Sequence, residues 1–315
     1  MHLTGGILRH FRAFPTPEQN PALGVLARPA RPQVTLTVRW LAKTENHSMN
    51  INTNDLLLAD RLAPITTSIG FIEFELADIV DQFIAWHTQL LQLMSIDGSV
   101  SSTEAVGVLP YVLRKLLPLR MADITRYLFI PTNSAWTAYI DNSYRGTDPA
   151  AIGYLAERLK CRTLWIYAAP HTLQKSGVPR RGRQGALIFE LYGAEPTHLQ
   201  NVIRLIRLEN DAGKWSFAQH GQPLPFEDLE QYRAKQVRDR FPFETFCAYL
   251  ENLGITPFSE NFYLSNKSRP AILVEKSGDP PKSAKNISLG RARRLNGIED
   301  GLRIFGRLIS RNGYF

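Results

Sequence analysis

The segment from Arg126 to Gly193 places the strongest constraint on the fold, because strand patterns and one helix pattern follow each other there with almost no sequence left between them. The apolar runs are short and rich in aromatic residues, which are sheet formers. A short polar link joins the first two runs and predicts a β-hairpin. The predicted strands are 126–130, 136–140, 163–168 and 186–192.

A helix is predicted between the second and third of these strands. The side chain of Asp148 can accept from the free N–H groups of a first helical turn, and Pro149 fits the first helical position. Ile152, Leu155 and Leu159 then recur at helical spacing. Strands interrupted by a single helix are typical of an α+β domain.

The rest of the chain supplies further elements of both kinds. Residues 68–75 have strand character, and 77–94 have the apolar spacing of an amphipathic helix. Ser101 and Glu104 form a candidate capping box for a second helix that would run toward Leu117. Residues 202–208 and 215–217 fit a second hairpin, although 202–208 fit equally well as a helix running from Thr197. The last two patterns are a helical one at 228–253, broken near Phe241 and Pro242 and stopping at Gly254, and a strand at 271–274.

Charge separates the two ends of the chain from its middle. Residues 1–48 carry six basic and two acidic residues, and residues 277–315 carry eight and three, whereas the middle has 23 basic and 24 acidic residues. The net charge of +8 is therefore a property of the ends, which argues against a distributed basic face on the core.

These patterns predict one main α+β domain at 49–276, with a mostly antiparallel sheet of five to seven strands flanked by helices. Residues 1–48 are proline-rich and are expected to be a poorly structured or non-native N-terminal extension. Residues 277–315 are expected to form a linker and a short basic amphipathic tail, with a helix pattern at 298–309.

The cysteine content and the hydropathy pattern favour a cytoplasmic protein. The chain has two cysteines, Cys161 and Cys247, in apolar patterns and with no CxxC motif, and we interpret both as core thiols in a reducing compartment. No apolar run approaches the roughly 18 residues that a membrane-spanning helix needs. We therefore expect no membrane span.

A polar turn and a basic loop contain the candidate binding residues. Tyr144 and Arg145 lie where a strand leads into a helix, and an exposed aromatic ring beside a guanidinium is typical of an interface anchor. The alternative is a plain polar turn, in which Asp148 caps the helix and Asp141 or Asn142 closes an Asx turn.

The basic loop covers residues 171–184 and contains no acidic residue. Arg180, Arg181 and Arg183 are its candidate binding residues, because guanidinium groups form forked hydrogen bonds with phosphate or carboxylate. The alternative is a solvated connection between two strands, since the loop lacks the interleaved aromatic residues of a single-strand nucleic-acid binder.

No pattern in the chain indicates a cofactor, a metal centre or a known catalytic motif. The sequence lacks GxGxxG, GxxxxGK[ST], GxSxG and HExxH, and the histidines do not have metal-ligand spacing. An enzyme acting on a phosphorylated or nucleic-acid substrate remains an alternative. In that hypothesis Arg145, His171 and the basic loop would bind phosphate, and a carboxylate such as Glu190 would act as a base.

Short phrases along the chain also resemble a known family. The ordered set RYLFIPT, SAWTAYIDN, YRGTDP, LAERLKC, FELYG, NDAGKW, GQPLPFED and RDRF, within about 74–275, is similar to a family of uncharacterised bacterial proteins. The family has no assigned activity, so the resemblance implies a bacterial host and a domain boundary without implying a chemistry.

The hypothesis that we favour from the sequence is a cytosolic protein-binding module of the immunity or accessory type, with an unidentified protein partner. Such a module needs no catalytic constellation. A third hypothesis is RNA binding through the two basic ends, which predicts an affinity that falls steeply with salt.

Overall fold

The computed structural model describes residues 51–174, 182–278 and 283–298, all within the unit Asn46–Phe315. Residues 1–48 and most of the predicted tail helix at 298–309 lie outside these ranges. The α-helices of the described part are α1 (Leu76–Leu93), α2 (Leu109–Arg114), α3 (Ala150–Leu159), α4 (Phe243–Asn252) and α5 (Leu289–Leu295). Short 3-10 helices lie at Thr53–Asp55, Leu57–Asp60, Gln231–Arg233, Val237–Asp239 and Glu260–Phe262.

The strands of the described residues form one large sheet and one small one. They are β1 (Ser68–Ile72), β2 (Val100–Ala105), β3 (Leu119–Arg120), β4 (Arg126–Pro131), β5 (Thr137–Asp141), β6 (Thr163–Ala169), β7 (Ala186–Thr197), β8 (Gln200–Asp211), β9 (Lys214–Gly221), β10 (Ala271–Lys276) and β11 (Asn286–Ile287). The large sheet has nine strands in the order β2-β10-β4-β5-β1-β6-β7-β8-β9, and β11 pairs with β3 in the small sheet.

All neighbouring strands of both sheets are antiparallel. The predicted α+β class and antiparallel sheet are therefore confirmed, although the large sheet has nine strands rather than five to seven. Two segments that were not predicted as strands outright add to the number of strands. Residues 202–208 belong to β8, and the segment read as a capping box is β2.

The predicted helix from Ser101 is wrong because the segment pairs along its whole length with β10. Thr103 lies opposite Leu273 in this pairing, and Ser101 lies opposite Glu275. The helix begins only at Leu109, with Pro110 in its first turn, where a proline removes no helical hydrogen bond. The predicted break near Phe241 and Pro242 is confirmed, since α4 begins at Phe243, whereas the part of the helical pattern before the break contains two 3-10 helices.

The sheet separates two hydrophobic cores. On β4, Tyr127 and Phe129 face the core that contains α1 and α3, whereas Leu128 and Ile130 face the opposite core. This alternation follows from the two-residue period of a strand. The sheet is therefore covered on both faces, as expected for a strand pattern with few polar positions.

The helix α3 approaches the sheet closely at a glycine. A Cβ atom added to Gly70 of β1 would lie 2.2 Å from Cδ1 of Ile152 and 3.1 Å from Cδ1 of Tyr139. Only a residue without a side chain fits between the strand and the helix at this point. The core on the other face of the sheet includes α4. Trp136 is fixed against this helix by a hydrogen bond of 2.8 Å from its Nε1 to the carbonyl oxygen of Leu253.

Packed structure continues beyond residue 276, where the sequence predicts a linker. Ile287 in β11 and Ala292 in α5 are buried, and Ser288 caps α5 by accepting a hydrogen bond from the N–H of Arg291 at 3.3 Å. Residues 283–298 therefore belong to the α+β domain. No helix within the described ranges has the length and apolar character needed to cross a bilayer.

Candidate functional site

The turn that carries Tyr144 and Arg145 is held by the buried carboxyl group of Asp141. Its Oδ1 accepts a hydrogen bond from the N–H of Ser143 and its Oδ2 accepts one from the N–H of Asp148, both at 2.9 Å. Burial raises the pKa of Asp141 to about 8, although these two hydrogen bonds act in the opposite direction. One side chain thus fixes both ends of the turn.

The turn is also anchored on the large sheet. The carbonyl oxygen of Thr147 accepts hydrogen bonds from Ser68 Oγ at 3.2 Å and from Trp165 Nε1 at 2.9 Å. Gly146 has a φ of +100°, and a Cβ atom there would lie 2.5 Å from Ser68 Oγ. The turn therefore requires glycine both for its backbone conformation and for its close contact with β1.

The predicted polar turn is confirmed in its hydrogen bonds. Asp148 Oδ1 accepts from the N–H of Ala150 at 2.9 Å, and Asp141 closes the Asx turn with Ser143. Asn142 has a different role, because its Oδ1 accepts from the N–H of Thr125 at 3.1 Å. These bonds fix the backbone of the turn and leave its exposed side chains available.

Tyr144 and Arg145 contact each other at the top of this turn. Arg145 Nε donates a hydrogen bond of 2.8 Å to the hydroxyl of Tyr144, and the guanidinium lies 5.2 Å from the centre of the ring. Tyr144 is half-buried and packs against the core, whereas Arg145 is exposed. The other guanidinium nitrogens of Arg145 have no hydrogen-bond partner among the described residues.

The structure corrects the expectation of an exposed Arg183. Its side chain is buried and forms an ion pair with the buried carboxylate of Asp60. Burial raises the pKa of Asp60, while the charges of Arg183 and Arg293 act in the opposite direction. Arg183 therefore stabilises the fold, because removing it would leave a buried carboxylate without this partner. Arg180 and Arg181 lie outside the described residues.

The helix α5 brings basic residues to the Tyr144 turn. Asn296, which directly follows the helix, donates a hydrogen bond of 2.8 Å from Nδ2 to the carbonyl oxygen of Tyr144. Arg293 Nη1 donates to the carbonyl oxygens of Asp60 at 2.9 Å and of Ala63 at 3.0 Å. The C-terminal segment is thus hydrogen-bonded both to the turn and to the segment that contains Asp60.

The segment 283–298 is strongly basic, with four arginines and lysines and no acidic residue. Arg291 and Arg294 of α5 are exposed, whereas Arg293 points toward the domain. We define the α5–turn surface as Tyr144, Arg145, Arg291 and Arg294. Sequence reasoning missed the two arginines of α5, although Ser288 before an alternating apolar and basic segment is a helix-start signal.

The enzyme hypothesis requires Arg145, His171 and Glu190 to lie together, but no hydrogen bond or ion pair in the described part of the chain connects their side chains. His171 Nδ1 accepts a hydrogen bond from the N–H of Gly185 at 3.2 Å, and burial lowers the pKa of His171. Glu190 lies within β7, opposite Trp165, and burial raises its pKa. No hydrogen bond or ion pair among the described residues links either side chain to Arg145.

The described ranges contain no group of three or more histidine, cysteine or acidic side chains that is arranged to hold a metal ion. Cys161 and Cys247 are free thiols and are half-buried. Burial raises the pKa of each to about 12, so both are protonated at neutral pH. Thiols of this kind are poor nucleophiles.

Comparisons with protein-family models, with curated proteins and with solved structures found no match for this chain. The resemblance to a bacterial family stays a prediction.

Proposed function

We propose that this protein is a protein-binding module, of the immunity or accessory type, that recognises an acidic region of a partner protein through the α5–turn surface. The observation that carries the proposal is the hydrogen bond from Asn296 to the carbonyl oxygen of Tyr144, which docks a basic helix beside an aromatic-arginine pair. This arrangement combines positive charge with a fixed aromatic side chain.

The charge distribution supports an acidic partner. The middle of the chain is nearly neutral, whereas the segment 283–298 adds four positive charges at one place. A local positive field accelerates association with a negatively charged surface and disfavours basic partners. Arginine is also enriched at the centres of protein interfaces.

The rigidity of the turn supports binding as well. Asp141 fixes its ends, and Tyr144 is half-buried and held by Arg145. A side chain that is already ordered loses little conformational entropy when a partner binds. Tyr144 therefore has the properties of an anchor residue.

A bacterial, cytoplasmic setting is part of the proposal. The bacterial host rests on the family resemblance, and the cytoplasm rests on the free thiols of Cys161 and Cys247, which persist in a reducing compartment. RNA binding through the basic ends remains a separate prediction, since most residues of those ends lie outside the described ranges.

The test is affinity capture from a lysate of the source organism, using the full chain as bait. One variant combines Arg145→Glu, Arg291→Glu and Arg294→Glu. A control variant combines Lys235→Glu, Lys267→Glu and Arg269→Glu, which makes the same charge change at exposed positions away from the α5–turn surface.

We expect one protein to be retained by the wild type and by the control variant and to be lost from the first variant. Its interaction with the purified wild type should weaken as salt is raised. Equal capture by both variants, or no specific capture by a folded wild type, would contradict the proposal.

A further inference from the structure

A cleft lies between the C-terminal half of α1 and the strands β4 and β10, apart from the α5–turn surface. Its volume is about 510 Å³, which is within the usual range for small-molecule sites. One wall is apolar and is formed by Leu90, Leu91, Met94 and Ile96. The opposite wall carries charged side chains, those of Arg120, Asp123, Arg126, Glu275 and Lys276.

His87 of α1 presents one free ring nitrogen at this cleft. Its Nδ1 lies 3.2 Å from the carbonyl oxygen of Phe83, which can only accept, so Nδ1 carries the proton. Its Nε2 has no hydrogen-bond partner among the described residues. Burial lowers the pKa of His87 to about 4, so the ring is neutral at pH 7 and Nε2 is an acceptor.

The imidazole is fixed in this orientation by aromatic neighbours. It stacks on the ring of Phe83 with 4.1 Å between the ring centres and lies 4.9 Å from the ring of Tyr127. The side chain of His87 is 6% exposed. The acceptor is therefore held in place before any ligand arrives.

Lys276 supplies unused hydrogen-bond donors on the charged wall. Its Nζ donates to Asp123 Oδ1 at 2.8 Å, and Arg120 Nη2 donates to the other oxygen of the same carboxylate at 3.3 Å. One negative charge is thus shared by two positive charges. An ammonium group has three N–H donors, and this is the only hydrogen bond of Lys276 Nζ within the described residues.

Arg126 supplies a second donor beside Lys276. Its Nε donates to Glu275 at 2.9 Å, and its Nη1 donates to the carbonyl oxygens of Lys115 and Leu117. Its Nη2 has no partner among the described residues. The guanidinium is planar and is fixed by its other bonds, so Nη2 is a pre-oriented donor.

The charges of this wall match a ligand with a single negative charge. Among the described residues that line the cleft, Arg120, Arg126 and Lys276 face two carboxylates, those of Asp123 and Glu275, so one positive charge is in excess. A doubly charged phosphate would be compensated only in part by this excess. A carboxylate matches the excess and forms strong hydrogen bonds with ammonium and guanidinium groups.

We propose that the cleft binds a small amphipathic carboxylic acid that also carries a hydroxyl or amide N–H group. Its carboxylate lies at Lys276 Nζ and Arg126 Nη2, its hydrogen-bond donor faces His87 Nε2, and its apolar body packs on the wall formed by Leu90, Leu91, Met94 and Ile96. Met94 is 66% exposed and has the side chain best able to adapt to different apolar shapes.

The proposal is tested on the full chain with three probe acids, N-acetylphenylalanine, 4-hydroxyphenylacetate and 3-hydroxyoctanoate. Saturation-transfer difference NMR detects binding, and isothermal titration calorimetry measures the dissociation constant. N-acetylphenylalaninamide is the matched control ligand, because it differs from N-acetylphenylalanine only in having a neutral carboxamide in place of the carboxylate. We expect at least one acid to bind and the amide to bind about tenfold more weakly than its acid, or worse.

Two variants separate the two polar contacts. Lys276→Gln removes the charge but can still donate to Asp123, and His87→Asn keeps a donor for the carbonyl of Phe83 while removing Nε2. Lys285→Gln is the control, since it removes an equal charge from an exposed lysine that does not line the cleft. Thermal melting establishes that each variant is folded.

We expect Lys276→Gln to weaken binding of the acids about tenfold or more and Lys285→Gln to leave it unchanged. His87→Asn should reduce selectivity for acids that carry a hydroxyl or amide N–H. The proposal is overturned if no probe acid binds the wild type, or if Lys276→Gln and Lys285→Gln bind the acids equally. These outcomes are independent of those for the α5–turn surface, which shares no residue with the cleft.

Discussion

The carboxyl group of Asp141 offers the sharpest test of how the candidate turn is held. We expect Asp141→Asn to destabilise the protein at neutral pH, because both carboxyl oxygens accept from backbone N–H groups. Burial raises the pKa of Asp141 to about 8, so the carboxyl is protonated at pH 7, but each of its oxygens still has a lone pair, whereas the amide nitrogen of asparagine cannot accept. The amide nitrogen of the variant would face an N–H group, so two donors would meet at a fully buried position.

The expected loss follows from the two hydrogen bonds, which measure 2.9 Å each. Loss of one of these bonds leaves a buried N–H donor unsatisfied, which costs about 1–3 kcal/mol. For a domain of this size, that free energy corresponds to a fall in the melting temperature of roughly 2–10 °C. Urea denaturation and differential scanning calorimetry measure the two quantities.

Asp148→Asn is the matched control. Asp148 is exposed, and its Oδ1 accepts one hydrogen bond from the N–H of Ala150. An asparagine can accept this bond equally well, and the two residues are similar as helix caps, so we expect a change below about 0.5 kcal/mol. Equal stability losses in the two variants, or no loss in Asp141→Asn, would refute the account of the turn.

Two further predictions concern the sheet and the cleft. Gly70→Ala should cost about 1–3 kcal/mol of unfolding free energy, because its Cβ would lie 2.2 Å from Ile152 Cδ1. Ile152→Val removes that Cδ1 atom, so the double variant should recover part of the lost stability in urea denaturation. If the effects of the two substitutions simply add, this packing is contradicted. Burial lowers the pKa of His87 in the folded state to about 4, so the unfolded state, with a pKa of about 6.5, binds more protons between these values. Wild-type stability relative to His87→Asn should therefore fall as the pH falls through this window, and a constant difference between pH 7 and pH 4 would contradict a buried neutral imidazole.

The α+β class could be predicted because the strands between Arg126 and Gly193 have clear local patterns. The edge strand β2 could not be recognised, since its sequence VSSTEA is mostly polar and exposed and resembles a helix cap. Its conformation comes from pairing with β10, which is more than 160 residues away in the sequence. Pairing at such a distance overrides local propensity.

The candidate site was predictable only in its local part. The hydrogen bonds of Asp141 and Asp148 join residues within one turn, and short-range polar patterns indicate them. The burial of Arg183 depends on Asp60, which lies 123 positions earlier in the sequence. The docking of α5 depends on Arg293 and on three carbonyl oxygens more than 200 positions earlier, and no local pattern encodes such contacts.

The most direct measurement of the central claim is photo-crosslinking from position 144. Tyr144 is replaced by p-benzoylphenylalanine in the full chain, and the same replacement is made at Tyr111, an exposed tyrosine that is not part of the α5–turn surface. Both proteins are irradiated in cells of the source organism, and the products are identified by mass spectrometry. The account predicts a crosslink to one partner protein, at an acidic segment of that partner, from position 144 and not from position 111. The same crosslink from both positions, or crosslinks from position 144 only to RNA or to many unrelated proteins, would contradict a dedicated protein-binding surface.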